Sequence, residues 1–425
     1  MESDYTIGKK GFSLTKRPGF GTYRVSVRSR EHVEALIYAL RRGVTLIDTS
    51  TNYAAGDSER AVGEALRRSG VARDAVTVVS KAGYIQGPLL RRVQTGETEA
   101  LEAVPYQEGC WHCIHPDFLQ RQLGESLERM GTDYVDTYLL HNPEYFLMHT
   151  VESPEDVEPA RKEMERRILE AFIALEEAAQ NGRIRSYGIS ANAFAKHPGD
   201  LHFLPYTRLI ELAKEAAAET GSADHRFSTI QLPLNMLEPE GLKCAGWAKA
   251  NGLTVLVNRP LNAFDEKGMH RLASYPAPEA YEPAKEALLL AADTYSLSEL
   301  RTVVTDLDTI RHRFGWPGAA EETLQRQTIP FIQGILSRIP DPAVKKAVIP
   351  LLNPFLQSWQ RCVAHLCGEK TLSYLQSKGL RASRPIQHAA LRWLAERPEV
   401  DTILLGMRAK GYVDDALEAL DSVPS

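Results

Sequence analysis

Cysteine is scarce in this 425-residue chain: five residues, an odd number in a long polypeptide, cannot form a disulfide framework and point to a reducing compartment. No apolar run approaches the roughly 20 residues that cross a bilayer, so no membrane span is expected. The opening Met1-Glu2-Ser3-Asp4-Tyr5 lacks the basic-then-apolar pattern of a signal peptide, and a cytoplasmic home is expected. Neither charge dominates: 50 Lys and Arg stand against 55 Asp and Glu, a net charge of -5, which gives no reason to expect nucleic acid or an anionic membrane as partner. The glycine fingerprint of doubly wound dinucleotide-binding folds is missing too. Cys110 and Cys113, with His112 and His115 beside them, have the spacing of a zinc half-site. Cys362, His365 and Cys367 are too distant and irregular to complete it, while His115-Pro116-Asp117 reads as a helix entry, so no metal is expected.

What the chain does have is a repeated strand-then-helix order. Strands are expected near 20–24, 44–48, 76–81, 134–141, 184–190, 228–234, 253–258 and 402–406, rich in Val, Ile and Leu and not alternating, as befits parallel strands buried on both faces. Between the first two, Glu31 to Leu40 carries apolar residues at helical spacing and meets a stop at Gly43. Eight such units imply an α/β fold, a (β/α)8 TIM barrel. Two segments exceed the minimal plan. Gly83 to His115 replaces a short loop after the third strand. Asp265 to Ser383 carries helix-spaced Ile329, Phe331, Ile332, Ile335, Leu336 and Ile339, interrupted by Pro330, Pro340, Pro342, Pro350 and Pro354. The expected division is a barrel over 1–264 and 384–425, with an all-helical subdomain, 265–383, inserted between strands 7 and 8.

Three strand-like runs end on reactive side chains. Leu46-Ile47-Asp48 ends on a carboxylate with Tyr53 five residues later; Val76-Thr77-Val78-Val79-Ser80 stops at Lys81; Tyr134 to Leu140 stops at His141. Carboxyl ends of barrel strands converge on one rim, so these residues can surround one substrate atom. The set Asp48, Tyr53, Lys81 and His141 resembles the catalytic tetrad of the aldo-keto reductases. The resemblance extends through Gly19-Phe20-Gly21-Thr22-Tyr23, Tyr187-Gly188-Ile189-Ser190, Ile230 to Asn235, Arg259-Pro260-Leu261 and Leu404-Leu405-Gly406-Met407-Arg408, in the family's order, and resumes after the insertion at Pro385. Taken singly, Asp48 also reads as a strand-end cap, Lys81 as a rim lysine and His141 as a satisfied histidine beside Pro143; jointly, at three strand ends, they read as a site.

Carbonyl reduction builds negative charge on oxygen as hydride arrives at carbon, and the site must supply a proton. The resemblance makes Tyr53 the donor. The Lys81 ammonium is expected to draw the phenol pKa down toward the working range, Asp48 to hold Lys81, and His141 to orient the substrate oxygen. Hydride must come from a nicotinamide, because no side chain delivers one. The resemblance implies cofactor contacts at Gly21, Thr22, Tyr23, Ser190, Gln231, Arg259, Pro260, Leu261, Gly406, Arg408, Lys410 and Asp415. Ala191 stands where an asparagine often follows the serine, with Asn192 one place late; Arg259 replaces the usual serine of the Ser-Pro-Leu turn; Ala416 replaces an adenine-binding asparagine. Arg408 and Lys410 favour NADP, with NAD the other option, although both also read as solvated first-turn cations.

The expected function is an NADP-dependent oxidoreductase acting on a small aldehyde, ketone or sugar. The alternative is a cofactor-bound sensor or binding subunit, since channel-associated relatives of that family use the same barrel. The 265–383 segment leaves after the seventh strand and is expected to act as a lid that selects substrates. Phe314, Trp316, Phe331, Phe355 and Trp359 would line a pocket or form its own core. Oligomeric state is not legible in the sequence.

Overall fold

Eight strands close into a parallel barrel in the computed structural model, which describes residues 18–421; the opening residues read above for a targeting signal lie outside that range. In chain order they are β1 (Pro18–Gly21), β2 (Leu46–Asp48), β3 (Thr77–Ala82), β4 (Val135–His141), β5 (Ile184–Ser190), β6 (Phe227–Pro233), β7 (Thr254–Asn258) and β8 (Thr402–Leu405). Each pairs with its neighbour in sequence, and β8 returns to β1. Leu46, Val79, Leu139, Leu256 and Leu404 form one interior layer. Gly19 leaves room for it, because a Cβ there would lie 2.8 Å from Leu404 and 2.9 Å from Leu46. The helix Arg30–Arg41 shows how the outer ring forms: the Ser29 side chain accepts from His32 N at its start, and Val33, Leu36, Ile37 and Leu40 make the buried stripe. Among the described residues no helix is long and apolar enough to cross a membrane.

The chain divides into two units, Met1–Leu234 with Pro239–Pro260 and Leu391–Ser425, and Asn235–Glu238 with Leu261–Ala390. The second is wider than 265–383, for a physical reason. The Asn235 amide donates to the Asn262 carbonyl, Phe264 N donates to Glu238, and Ile386 N donates to the Ser274 hydroxyl, so chain on both sides of the expected limits is bonded into it.

Two further expectations need correction, on β1 and on the second unit. β1 ends at Gly21 and not near residue 24, because Thr22 gives both its amide and its hydroxyl to the Asp48 carbonyl and Tyr23 turns out, 65% exposed. The 83–115 segment that replaces a short loop is itself folded: Tyr84–Gln86, Val104–Gln107 and Cys110–His112 pair antiparallel around the central Cys110–His112 strand, with a short helix, Gly87–Gln94, between the first two. The second unit is not all helical, since it opens with a hairpin, Asn262–Asp265 against Gly268–Arg271. Its prolines interrupt less than their number suggests. Pro330 comes just after the π-helical turn Leu324–Thr328, Pro342 sits in a first turn, where a missing N–H costs nothing, and Pro350 and Pro354 lie inside the helix Pro342–Ser377.

That helix packs Val348, Leu352, Phe355 and Trp359 against Leu288, Leu300, Val304 and Leu307, an apolar face large enough to offset two lost helical hydrogen bonds. Of the aromatics expected either to line a pocket or to form a core, Phe355 and Trp359 are fully buried, Phe314 meets Trp359 edge-on, and Phe331 is 53% exposed. The indole of Trp359 donates to the Leu307 carbonyl at 2.7 Å. Trp359→Phe is therefore expected to cost about 1–3 kcal/mol through the lost hydrogen bond and the vacated ring volume. Denaturant unfolding followed by near-ultraviolet circular dichroism checks this; an unchanged midpoint contradicts it.

Candidate active site

Five consecutive strands carry polar side chains at or near their carboxyl ends: Asp48 on β2, Lys81 on β3, His141 on β4, Ser190 on β5 and Gln231 on β6. Lys81 is fully buried, and each of its three protons has an acceptor: Asp48 Oδ2 at 2.8 Å, the Thr49 carbonyl at 2.8 Å and the Tyr53 hydroxyl oxygen at 3.3 Å. The second Asp48 oxygen accepts from Gln231 Nε2 at 2.7 Å, and Ser190 Oγ donates to Gln231 Oε1 at 2.8 Å. One chain of hydrogen bonds thus runs from Ser190 through Gln231, Asp48 and Lys81 to Tyr53.

Tyr53 is half-buried and stands edge-on to Tyr23 and His141. The backbone beyond it is unusual: Ala54, Ala55 and Gly56 have φ of 47°, 54° and 89°, three successive left-handed residues that turn the chain into the helix Asp57–Ser69. Burial, reinforced by the Asp48 carboxylate, pushes the Tyr53 hydroxyl well above its usual range. The expectation that Lys81 draws this pKa down is wrong in the free site. Burial of the phenol and the Asp48 charge outweigh the pull of the Lys81 ammonium, which Asp48 pairs with and which burial itself moves down. Burial and the Lys81 charge hold His141 well below the usual imidazole range, so its ring is neutral at neutral pH.

His141 is fixed at both ends. Its Nδ1 lies 3.1 Å from Ser50 Oγ, and its carbonyl accepts from His112 Nε2 at 2.7 Å. Gly83 permits that second contact, since a Cβ there would fall 2.5 Å from both the His112 nitrogen and the His141 oxygen. Around the ring, Tyr84 approaches edge-on at 4.7 Å, accepts from Asn142 Nδ2 and shares a 2.8 Å hydrogen bond with the Tyr145 hydroxyl. Glu144 is buried, accepts from Asn192 N and Ala193 N, and is pushed up to about 7 by burial. None of Ser50, Tyr84, Asn142, Glu144 and Tyr145 stood out in the sequence, and His112 did so only as a neighbour of the two cysteines. Of the first five, only Ser50 and Tyr84 had a local signal, one inside the Asp48 to Tyr53 stretch and the other three residues after Lys81.

Cysteine chemistry is spent on structure. Cys110 accepts from Gln86, Cys113 donates to the Leu101 carbonyl and is pushed up to about 12 by burial, and the His115 ring accepts from Asp117 N at a helix start. Among the described residues no group of three or more His, Cys, Asp and Glu is arranged to hold a metal.

The expected cofactor residues fall into three sets. Gly21 ends β1 beside Asp48, and Thr22 and Tyr23 follow it, but the Thr22 hydroxyl is turned inward to the Asp48 carbonyl. Ser190 and Gln231 are buried and bonded to each other, while Asn192 is exposed on the turn after β5. After β8, Gly406 is exposed and nothing stands within 4 Å of where its Cβ would be. Arg408 follows on the connection, and Lys410 opens the helix Lys410–Asp421, which also carries Asp415. Arg408 has no ion-pair partner among the described residues, whereas Lys410 lies over the Tyr38 ring. An open glycine, an uncommitted guanidinium and a helix start are groups that suit a phosphate-bearing cofactor. Arg259, at φ 51°, and Pro260 close the middle segment of the first unit, and Leu261 opens the long segment of the second.

Residues 19–267, more than half of the chain, match the family model described as the aldo/keto reductase family. The chain belongs to that family. Among curated relatives of this aldo/keto reductase, the NADH-specific methylglyoxal reductase of Escherichia coli K12 is 26% identical over 201 residues, 46% of this chain and 51% of that one. The 2,5-diketo-D-gluconic acid reductase B of a Corynebacterium species is 34% identical over 126 residues, 30% of this chain and 34% of that one. The chain thus spans about half, or less, of the length of these relatives. Among solved structures, a holo-form aldo-keto reductase from Bacillus halodurans is 18% identical, with 96% of this chain and 88% of that one covered and a TM-score of 0.49. One from Klebsiella pneumoniae in complex with NADP and acetate is also 18% identical, with 96% and 86% covered and a TM-score of 0.43.

Proposed function

We propose that this aldo/keto reductase is an NADP-dependent enzyme that interconverts a small carbonyl compound and its alcohol, with Tyr53 as proton donor. The observation that carries the proposal is the bonding of Lys81. Its third proton goes to the Tyr53 oxygen, so the phenol's own proton is left for a substrate oxygen. A bound reduced nicotinamide supplies the hydride. The chain's residues do the rest. Asp48 holds Lys81 in place, Lys81 stabilises the phenolate that remains after transfer, and the raised Tyr53 pKa keeps the phenol protonated through the physiological range. Donation still runs downhill, because an alkoxide is a much stronger base than a phenolate. Ser190 and Gln231 would hold the nicotinamide carboxamide, exchanging their mutual bond for bonds to the ligand.

Relatives whose names state that they reduce methylglyoxal or 2,5-diketo-D-gluconic acid suggest small dicarbonyls and sugar acids as the first compounds to try. The five free cysteines suit a cytoplasmic location. The test is NADPH consumption with methylglyoxal, generic aldehydes and a sugar panel. Tight NADPH binding without turnover on any of them overturns the enzyme reading.

Cofactor choice rests on Arg408. Arg408→Ala is expected to weaken NADPH binding by about tenfold or more while leaving NADH nearly unchanged, since only NADPH carries the extra phosphate. Fluorescence titration with both nucleotides measures it; equal losses would assign Arg408 to a shared part of the cofactor.

A further inference from the structure

The first three amides after Ser190 all have acceptors. Ala191 N donates to the Gln231 carbonyl at 3.0 Å, while Asn192 N and Ala193 N both donate to one oxygen of Glu144, at 2.8 Å and 3.2 Å. Glu144 stands at the start of the helix Tyr145–Thr150, where an acidic side chain commonly turns back to cap its own helix. It makes no such bond and crosses to the turn after β5 instead. Beside it Asn142, at φ 54°, donates its own amide to the Ser190 carbonyl at 2.7 Å. The ends of β4 and β5 are thereby laced together around the residue that would hold the nicotinamide carboxamide.

The charge of Glu144 is unbalanced. Its second oxygen, Oε2, is buried and meets no donor, and among the described residues no cation lies within ion-pair distance of it. The groups that face it are Lys196, whose ammonium is bonded to Asp200 at 3.0 Å, and the hydroxyls of Tyr84 and Tyr145, both held protonated at neutral pH by burial. Burial pushes the Glu144 carboxyl up to about 7, against the pull of the amides and of Lys196, so both of its forms are within reach near neutrality.

We propose that Glu144 is a positioning residue for the cofactor whose carboxylate is the counter-charge of the oxidised nicotinamide ring, so that the site favours NADP⁺ over NADPH when Glu144 is ionised. The inference rests on the proposed function, in which Ser190 holds the carboxamide. The oxidised ring is a cation and the reduced ring is neutral; the rest of the two molecules is alike. The bonded oxygen of Glu144 lies 2.8 Å from an amide two residues past Ser190, which puts its charge on the order of 10 Å from the carboxamide. A nearby cation favours the carboxylate, so NADP⁺ lowers the Glu144 pKa from its free value near 7, and binding releases a proton. NADP⁺ affinity therefore rises with pH between the bound and the free values, and NADPH affinity gains nothing there. Titration of the extra phosphate is common to both nucleotides and cancels in the ratio of their dissociation constants. His141 and His112, both lowered by burial, stay neutral above that interval.

Titration of the full-length protein with each nucleotide, from about pH 5.5 to about pH 8.5, gives the ratio of the NADPH to the NADP⁺ dissociation constant. It should rise by about three- to tenfold over that span, the size expected of two unit charges that far apart in a partly buried site. Glu144→Gln keeps an oxygen for the two amides and loses the charge, so its ratio should stay flat near the parent's low-pH value. A flat ratio in the parent overturns the proposal. So does a slope that persists in Glu144→Gln, which would belong to another group such as Lys81. Carbon-13 spectra of glutamate-labelled parent protein decide the matter without the variant: one carboxyl titrating near neutrality should move to lower pH with NADP⁺ and stay in place with NADPH, and equal behaviour with both nucleotides overturns the proposal. Binding of both nucleotides without turnover would remove the proposed enzyme and leave this result standing, whereas failure of both to bind would overturn the two readings together.

Discussion

Tyr53→Phe is expected to lower turnover by about 10²- to 10⁴-fold, the usual contribution of a positioned acid, with NADPH affinity unchanged. The change deletes one oxygen from a half-buried ring whose edge contacts with Tyr23 and His141 do not involve it. The fold should therefore be preserved, and Lys81 loses only its longest hydrogen bond, at 3.3 Å. Because the phenol pKa lies above its usual value, carbonyl reduction by the parent protein should show no fall in rate through loss of the Tyr53 proton between neutral pH and about 10. Single-turnover kinetics and a nucleotide titration on the same preparation separate the two claims. A Phe variant with near-parental turnover on a good substrate would remove Tyr53 from the chemistry.

Lys81→Met should do more damage, because it acts on the fold as well as on the reaction. Asp48 is buried, and its partner is the fully buried ammonium; removing that partner leaves a carboxylate held only by the Gln231 amide. Breaking a buried pair from one side costs about 3–5 kcal/mol. Turnover should fall along with stability, since the phenolate left by proton donation has no cation beside it. Lys81→Met combined with Asp48→Asn should recover a good part of the stability and none of the activity. Denaturant midpoints and turnover for the single and double variants give that comparison. A single variant as stable as the parent would mean the pair is not the buried, mutually dependent unit described above.

What the sequence made legible was whatever is local or recurs with the barrel's period. Asp48 and Tyr53 share one strand end and its loop, and Lys81 and His141 end neighbouring strands, so spacing and strand order were enough to collect them. Ser50 was passed over because its partner lies 91 residues away and nothing near it in the chain announces a histidine. The Tyr53 pKa was misjudged for a related reason: a lysine and its partner carboxylate are visible in a sequence, but the burial that raises the phenol is not. The small sheet over 84–112 escaped because strands of three or four residues, one starting beside Gly83 and followed by Gly87-Pro88, are too short to show alternation. Pro350 and Pro354 read as breaks because local propensity knows nothing of the apolar face that the long helix buries.

The three left-handed residues that follow Tyr53 bear on how this protein can change over time. An alanine held at positive φ costs of order 1 kcal/mol or more, and β-branched or bulky side chains fare worse there. Ala54 and Ala55 are exposed, and exposed positions ordinarily drift freely. Here only small residues, or those such as asparagine that tolerate the left-handed region, can follow the tyrosine without moving it. The loop that looks most open to variation is therefore among the least able to vary, and new specificities must be acquired on other parts of the rim.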